Sequence, residues 1–182
     1  MYAPIGVADS LDALLHLPSA CCERPSIKDF QGRAIIYAAR YENAGGGKPW
    51  RKDIPPQLRE WVALAQGENP RIQWCLYGGS RGGAWAAILA ADVRLVWSQV
   101  LLVAPYVVPC RDAQPMAVGL QRLGERLQIR VGQADEWLPA TYKFVEDCAI
   151  SGTCDFQIFS GLAHDASLRE GGALWKRLFS TL

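Results

Sequence analysis

A serine lies in the middle of the sequence pattern G-x-S-x-G, which is formed by Gly78, Ser80 and Gly82. An apolar strand pattern precedes these residues and an apolar helix pattern follows them. A serine at a sharp strand-to-helix turn has a strained backbone, and glycines two positions away on either side avoid clashes there. The turn also holds the hydroxyl above a helix N-terminus, where the partial positive charge favours an oxyanion. The pattern therefore predicts that Ser80 is a nucleophile.

A nucleophilic serine needs a base, and the chain contains only two histidines, His16 and His164. His164 follows the last predicted strand in a loop that runs from Gly161 to Asp165 and precedes the last predicted helix. His16 falls within an apolar segment that is predicted to be a helix, where a half-buried histidine is the ordinary interpretation. His164 is therefore the candidate base.

The base in turn needs a carboxylate that orients its ring, and Asp135 comes just after the fourth predicted strand. The carboxyl ends of parallel strands meet at one edge of a sheet, which is where ligands bind in open α/β folds. Ser80, Asp135 and His164 all follow strands, so they are expected to converge there. Asp112 and Asp165 are the competing acids.

Short apolar runs alternate with helical patterns along the chain, which predicts an α/β fold: a mostly parallel sheet of five or six strands with helices on both faces. No linker or repeat interrupts the pattern, so residues 1–182 are expected to form one domain. A strand over residues 2–7 and a helix over 10–17 are expected at the start. The remaining predicted strands span 33–41, 72–77, 96–104, 127–131 and 156–159, and the helices span 55–66, 81–91, 116–124, 136–148 and 168–181.

Three segments of the chain, 78–85, 132–139 and 161–165, together resemble the α/β-hydrolase superfamily. The likeness extends over residues 33–182 and is closest to the small carboxylesterase and thioesterase branch, which is similar to the phospholipase/carboxylesterase group. The serine turn, a G-x-x-D-x-x-x-P segment and a G-x-x-H segment carry it, in the chain order expected of that fold.

The resemblance implies a role for each candidate residue. Ser80 would be the catalytic nucleophile, His164 the general base and Asp135 the residue that orients it. The backbone N–H of Arg81 would be one donor of the oxyanion hole.

The start of the chain departs from the superfamily pattern. The 33–41 strand resembles the fourth strand of the family, so the third strand and its oxyanion loop are expected within residues 1–10. Val7 and Ala8 are then the candidates for the second backbone donor, with the loop from Tyr41 to Gly47 as the alternative. The fold would be an α/β-hydrolase fold trimmed at its N-terminus.

Composition excludes several other classes of function. The 182 residues are 50% hydrophobic and 20% charged with a net charge of +1, which argues against disorder and against a nucleic-acid footprint. No apolar run approaches a membrane span, and the first residues lack a secretory signal pattern. None of the six cysteines forms a C-x-x-C pair, so we expect no metal site, reduced core thiols and an intracellular, cytoplasmic location.

The chain does not match either of the two glycine-rich motifs that bind nucleotides. The Gly45–Lys48 run lacks the first glycine of a phosphate-binding loop and has Pro49 where a serine or threonine is required. No G-x-G-x-x-G pattern follows a strand.

Tryptophans flank the motif segments and are candidates for lining a substrate pocket. Trp50 and Trp137 are assigned to substrate binding on this ground, with core packing as the alternative, whereas Trp85 is expected to be a core residue.

The sequence thus predicts a serine hydrolase with little or no lid that cleaves a small-molecule ester or thioester without a metal or organic cofactor. A peptidase or a lactonase would use the same residues. The alternatives are a non-catalytic α/β-hydrolase-like binding or structural subunit and a flavodoxin-like binding module. The oligomeric state is open.

Overall fold

Six parallel strands form the sheet in a computed structural model of the chain, which describes residues 12–17, 34–37, 56–106 and 113–180. The strands are β1 (Asp12–Leu17), β2 (Ala34–Tyr37), β3 (Gln73–Gly79), β4 (Gln99–Val103), β5 (Leu127–Gly132) and β6 (Asp155–Phe159). The helices are α1 (Pro56–Glu68), α2 (Arg81–Ala91), α3 (Ala113–Gln121), α4 (Leu138–Asp147) and α5 (His164–Ser180), with a 3₁₀ turn at Gly124–Arg126.

The strand order is β2-β1-β3-β4-β5-β6, and every neighbouring pair is parallel. The register pairs Leu17 with Gly78 and Gly79 with Val103, so β1, β3 and β4 end at the same edge of the sheet. The strand that leads to Ser80 is therefore central, with β1 on one side and β4 on the other.

Alternate residues of β3 point to opposite faces of the sheet, as the strand period requires. Trp74 and Leu76 belong to the larger core, to which α1, α2, α3 and α4 contribute buried side chains. Cys75 and Tyr77 belong to a smaller core that includes Leu168 of α5. The predicted α/β architecture, a parallel sheet with helices on both faces, is confirmed.

The helix expected over residues 10–17 is wrong, because Asp12–Leu17 is a strand, β1. Ala13 and the three leucines of this segment are good helix formers, but β1 lies between β2 and β3 and Leu15 is completely buried. The period of so short an apolar run could not distinguish a buried strand from a buried helix. The strand expected over residues 2–7 lies outside the described residues.

The last helix begins four residues earlier than expected. His164 is the first residue of α5, not part of a preceding loop, and the expected start was Leu168. Leu168 is the first residue of this helix in the apolar core. The apolar pattern that predicts the helix therefore begins at Leu168, although the helix itself begins at His164. Helix α2 has the predicted ends, and the other predicted helices and strands match observed elements with shifted ends.

Asp92, directly after α2, is held by its neighbour Arg94. Its carboxylate accepts hydrogen bonds from the guanidinium at 2.9 and 2.6 Å and from the backbone N–H at 3.0 Å. The hydrogen bond from the Arg94 side chain is the main cause that holds the pKa of Asp92 below its ordinary value of 3.8. The lowered pKa means that the unfolded chain binds a proton more readily than the folded chain in acid.

This arrangement predicts an acid-sensitive contribution to stability. The contribution of Asp92 is present above pH 3.8 and is lost as the pH falls through the lower pKa of the folded state. We expect Asp92→Asn to melt at a lower temperature than the wild type at neutral pH and the two to converge in acid. Thermal unfolding followed at neutral pH and at a series of acidic pH values measures this, with Asp147→Asn in an exposed pair with Lys143 as the control. A difference that stays constant down to acid would contradict the assignment.

Within the described ranges, no helix is both long enough and apolar enough to cross a membrane.

Candidate active site

Ser80 occupies a strained turn between β3 and α2. Its backbone has φ 50° and ψ −118°, a region that a residue with a side chain rarely adopts. It sits at the N-cap of α2, yet its hydroxyl does not cap the helix. The Oγ is therefore available for another partner.

The glycine two positions earlier makes the turn possible. A Cβ on Gly78 would lie against the carbonyl oxygen of Gly82 and 2.6 Å from the Cβ of Ala86. Only a residue without a side chain lets the end of β3 approach α2 this closely. The end of β3 and the start of α2 therefore pack closely at Gly78, as expected for a glycine that avoids clashes in this turn.

His164 lies next to this serine, at the first position of α5. Its Nε2 is 3.0 Å from Ser80 Oγ, and its Nδ1 is 2.9 Å from Asp135 Oδ2. The His164 side chain is 22% exposed, so solvent reaches the ring while its two partners fix it.

The carboxylate of Asp135 is fully buried and satisfied at both oxygens. Oδ2 faces His164, and Oδ1 accepts the backbone N–H of Trp137 at 2.8 Å. Because an ionised carboxylate only accepts, Nδ1 carries the ring hydrogen and Nε2 presents its lone pair to Ser80. The three side chains form one continuous hydrogen-bonded array.

The loop that carries the acid and the loop that leads to the histidine are joined by backbone hydrogen bonds. Gln133 N–H donates to Phe159 at 2.8 Å, and Ala134 N–H donates to Leu162 at 2.9 Å. The Gln133 side-chain oxygen also accepts the N–H of Gly161 at 3.2 Å. These contacts fix the separation of the two loops, and with it the distance between Asp135 and His164.

The structure places the other candidates as follows. Arg81 is the first residue of α2, so its N–H is among the helix donors without an intrahelical acceptor. Trp137 is half-buried beside Asp135. Asp165 is exposed, and the carboxylate that faces His164 Nδ1 belongs to Asp135. Trp50, Asp112, Val7 and Ala8 lie outside the described residues.

The strand beside the nucleophile strand lies later in the chain than expected. A neighbour within residues 1–10 was expected, whereas β3 pairs on that side with β1, which ends at Leu17, opposite Gly78. Val7 and Ala8 lie outside the described residues, so their assignment as the second oxyanion donor stays a prediction.

Sequence reasoning missed Tyr106. Its N–H donates to the carbonyl oxygen of Ser80 at 2.8 Å, and its ring contacts the ring of Trp137 edge-on with centroids 4.3 Å apart. Tyr106 follows the carboxyl end of β4, so the rule that located Asp135 would also have found it.

Among the described residues, no group of three or more His, Cys, Asp or Glu side chains has the arrangement of a metal site. Cys75 and Cys148 are buried, and Cys154 is half-buried. Burial raises the pKa of the Cys154 thiol, which disfavours the reactive thiolate.

No protein-family model and no curated protein sequence matches the chain. Solved structures do. An α/β serine hydrolase homologue from Coxiella burnetii is 18% identical, with 97% of this chain and 86% of that one covered and a TM-score of 0.57. A carboxylesterase from the thaumarchaeon Nitrososphaera gargenis is 10% identical over 100% of this chain and 93% of that one, with a TM-score of 0.62. A lidless serine hydrolase from Xanthomonas campestris is 18% identical over 95% and 83%, with a TM-score of 0.57.

At this level of identity the likeness concerns the fold. The chain has the α/β-hydrolase fold, as the resemblance of its three segments implied.

Proposed function

We propose that this chain is a serine hydrolase that cleaves a carboxylic ester or thioester through an acyl-enzyme on Ser80. The observation that carries the proposal is the array in which His164 contacts Ser80 Oγ at 3.0 Å and the buried Asp135 at 2.9 Å. The backbone of Ser80 supports it, because strain of this kind is characteristic of functional sites.

The first half of the reaction forms the acyl-enzyme. Ser80 Oγ attacks the carbonyl carbon while its proton moves to His164 Nε2, and the carbonyl oxygen becomes an oxyanion. The Arg81 N–H is the proposed donor to that oxygen. The bond to the leaving oxygen or sulfur then breaks, and the proton on Nε2 passes to the leaving group.

The second half releases the acid. His164 Nε2 takes a proton from water, the resulting hydroxide equivalent attacks the acyl carbon, and the bond to Ser80 Oγ breaks as the proton returns to that oxygen. Asp135, which faces Nδ1, stabilises the imidazolium in both halves.

An ester or thioester is preferred over the other substrates that this chemistry serves. The Nitrososphaera gargenis protein of the same fold is a carboxylesterase, which favours ester chemistry here. A peptidase or lactonase uses the same three groups, so the site chemistry alone does not separate them.

Labelling with a fluorophosphonate probe tests the proposal without knowledge of the substrate. We expect the wild type to be labelled and mass spectrometry to find the adduct on Ser80, whereas Ser80→Ala and His164→Ala stay unlabelled. Hydrolysis of a short p-nitrophenyl ester and a matched thioester then ranks the two classes of substrate.

A folded wild type that neither labels nor hydrolyses either compound would favour the alternative, a non-catalytic binding or structural protein with this fold. Labelling at a residue other than Ser80 would reject the assignment of the nucleophile.

A further inference from the structure

We propose that Tyr106 and Trp137 are positioning residues, which together hold the nucleophile turn and the acid loop at a fixed separation. The inference rests on the proposed hydrolase function. It assigns Tyr106 and Trp137 a role in holding the site together that is distinct from contact with the substrate.

The first link joins Tyr106 to the nucleophile. Ser80 N–H donates to Val103 at 2.9 Å, and Tyr106 N–H donates back to the carbonyl oxygen of Ser80 at 2.8 Å. The peptide groups on both sides of the strained residue are thus bonded to the chain at and beyond the end of β4. Ala104, between these two positions, is itself at φ 43°, so the turn that presents Tyr106 is also strained.

The second link joins the two aromatic rings. The Tyr106 and Trp137 centroids are 4.3 Å apart with an interplanar angle of 73°, so the two rings meet edge-to-face in a close contact. Both residues are half-buried, so the contact is partly shielded from solvent.

The third link joins Trp137 to the acid. Its backbone N–H donates to Asp135 Oδ1 at 2.8 Å, while the other carboxylate oxygen contacts His164. A route of contacts therefore runs from the Ser80 carbonyl through the two rings to Asp135, on a path separate from the His164 ring. Ser80 and Asp135 are therefore connected twice, once through His164 and once through Tyr106 and Trp137.

This closed set of contacts predicts a particular effect on the kinetics. A displacement of about 1 Å at a catalytic group can cost about 100-fold in rate, so loss of the contact between the Tyr106 and Trp137 side chains should lower kcat. The substrate affinity should change little, because neither link requires substrate. Alanine at either position keeps the backbone N–H, so the variants test the ring contact alone.

The experiment measures kcat and KM for p-nitrophenyl acetate and p-nitrophenyl butyrate. We expect Tyr106→Ala and Trp137→Ala each to lower kcat by about 10- to 100-fold with KM within about twofold. The double variant should lose no more than the worse single variant, because the two rings act as one contact. Tyr106→Phe and Trp137→Phe should keep most of the wild-type kcat. Trp137→Leu, which keeps apolar bulk without an aromatic ring, should lose kcat as Trp137→Ala does.

A second aromatic pair supplies the matched control. Tyr142 and Phe156 also meet edge-on, at 5.3 Å and 89°, on α4 and β6. Tyr142→Ala should lower the melting temperature and leave kcat unchanged. Equal losses of kcat in Tyr142→Ala and Trp137→Ala would show general destabilisation and overturn the proposal.

A readout that does not depend on turnover separates this inference from the proposed function. The His164 Nδ1–H, hydrogen-bonded to Asp135, should give a far-downfield proton signal in NMR that is lost or broadened in Trp137→Ala and kept in Trp137→Phe. An inactive wild type that shows this pattern would reject hydrolase activity and retain the positioning role. A raised KM at constant kcat would instead show that the two side chains contact the substrate. Losses of kcat that multiply in the double variant would show that they act independently. Either result would overturn the inference.

Discussion

Ser80→Ala and His164→Ala are each expected to lower ester turnover by at least about 10³-fold, because groups that act as a unit fail together when either is removed. Without Oγ there is no atom to acylate, and without the imidazole no group lies at 3.0 Å from Oγ to accept its proton. Asp135→Asn should cost less than either, since the ring and the nucleophile remain. Steady-state kinetics on a short p-nitrophenyl ester, with circular dichroism to verify folding, measures all three variants.

The controls for this prediction use the alternative residues. Asp165→Asn removes an exposed carboxylate next to His164 in the chain and should leave turnover within about twofold, because solvent screens an exposed charge. His16 lies on β1, so His16→Ala is compared by activity per folded protein. The base would be misassigned if a folded His16→Ala protein were inactive and His164→Ala retained full turnover.

Gly132→Ala is expected to lower kcat by about 100-fold, although the residue is not a catalytic group. A methyl group there would lie against the carbonyl oxygen of Leu162 and Ser167 Oγ, and 2.7 Å from the Leu162 carbonyl carbon. The Leu162 carbonyl oxygen accepts the N–H of Ala134, so the methyl group would push the loop that carries the acid away from the loop that leads to His164. Overpacking of this kind costs about 1–3 kcal/mol of unfolding free energy.

Gly152→Ala is the matched control, because a Cβ at Gly152 meets nothing within 4 Å. Kinetics and thermal unfolding of the two variants should show a loss of both kcat and stability for Gly132→Ala and neither for Gly152→Ala. Unchanged kcat in a destabilised Gly132→Ala protein would mean that the spacing of the loops does not control the array.

The sequence by itself determined the architecture of the central and C-terminal part of the chain. Helix α2 was predicted with its observed ends, since an apolar helix directly after a glycine-flanked serine has few other interpretations. The same local rules identified Ser80, Asp135 and His164, because each follows a strand and parallel strands end at one edge. Two histidines in 182 residues left little choice of base.

Tertiary structure alone decided the identity of β1 and the start of α5. Ala13 and the three leucines of Asp12–Leu17 favour a helix locally, and only the pairing of this segment with β2 and β3 makes it a strand. Local propensity is worth a few tenths of a kcal/mol per residue and is outweighed by the burial of a side chain such as Leu15. For the same reason the strand beside β3 was expected within residues 1–10, whereas it is β1.

The role of Tyr106 was likewise decided by the tertiary structure. Its contacts are to Ser80 and Trp137, residues 26 and 31 positions away in the chain, and no periodicity within one segment encodes such contacts. Sequence patterns report which face of a helix or strand is apolar, whereas the meeting of two rings depends on how the loops after β4 and β5 pack. The sequence therefore identified the candidate reacting groups, and the packing of the loops decided what holds them in place.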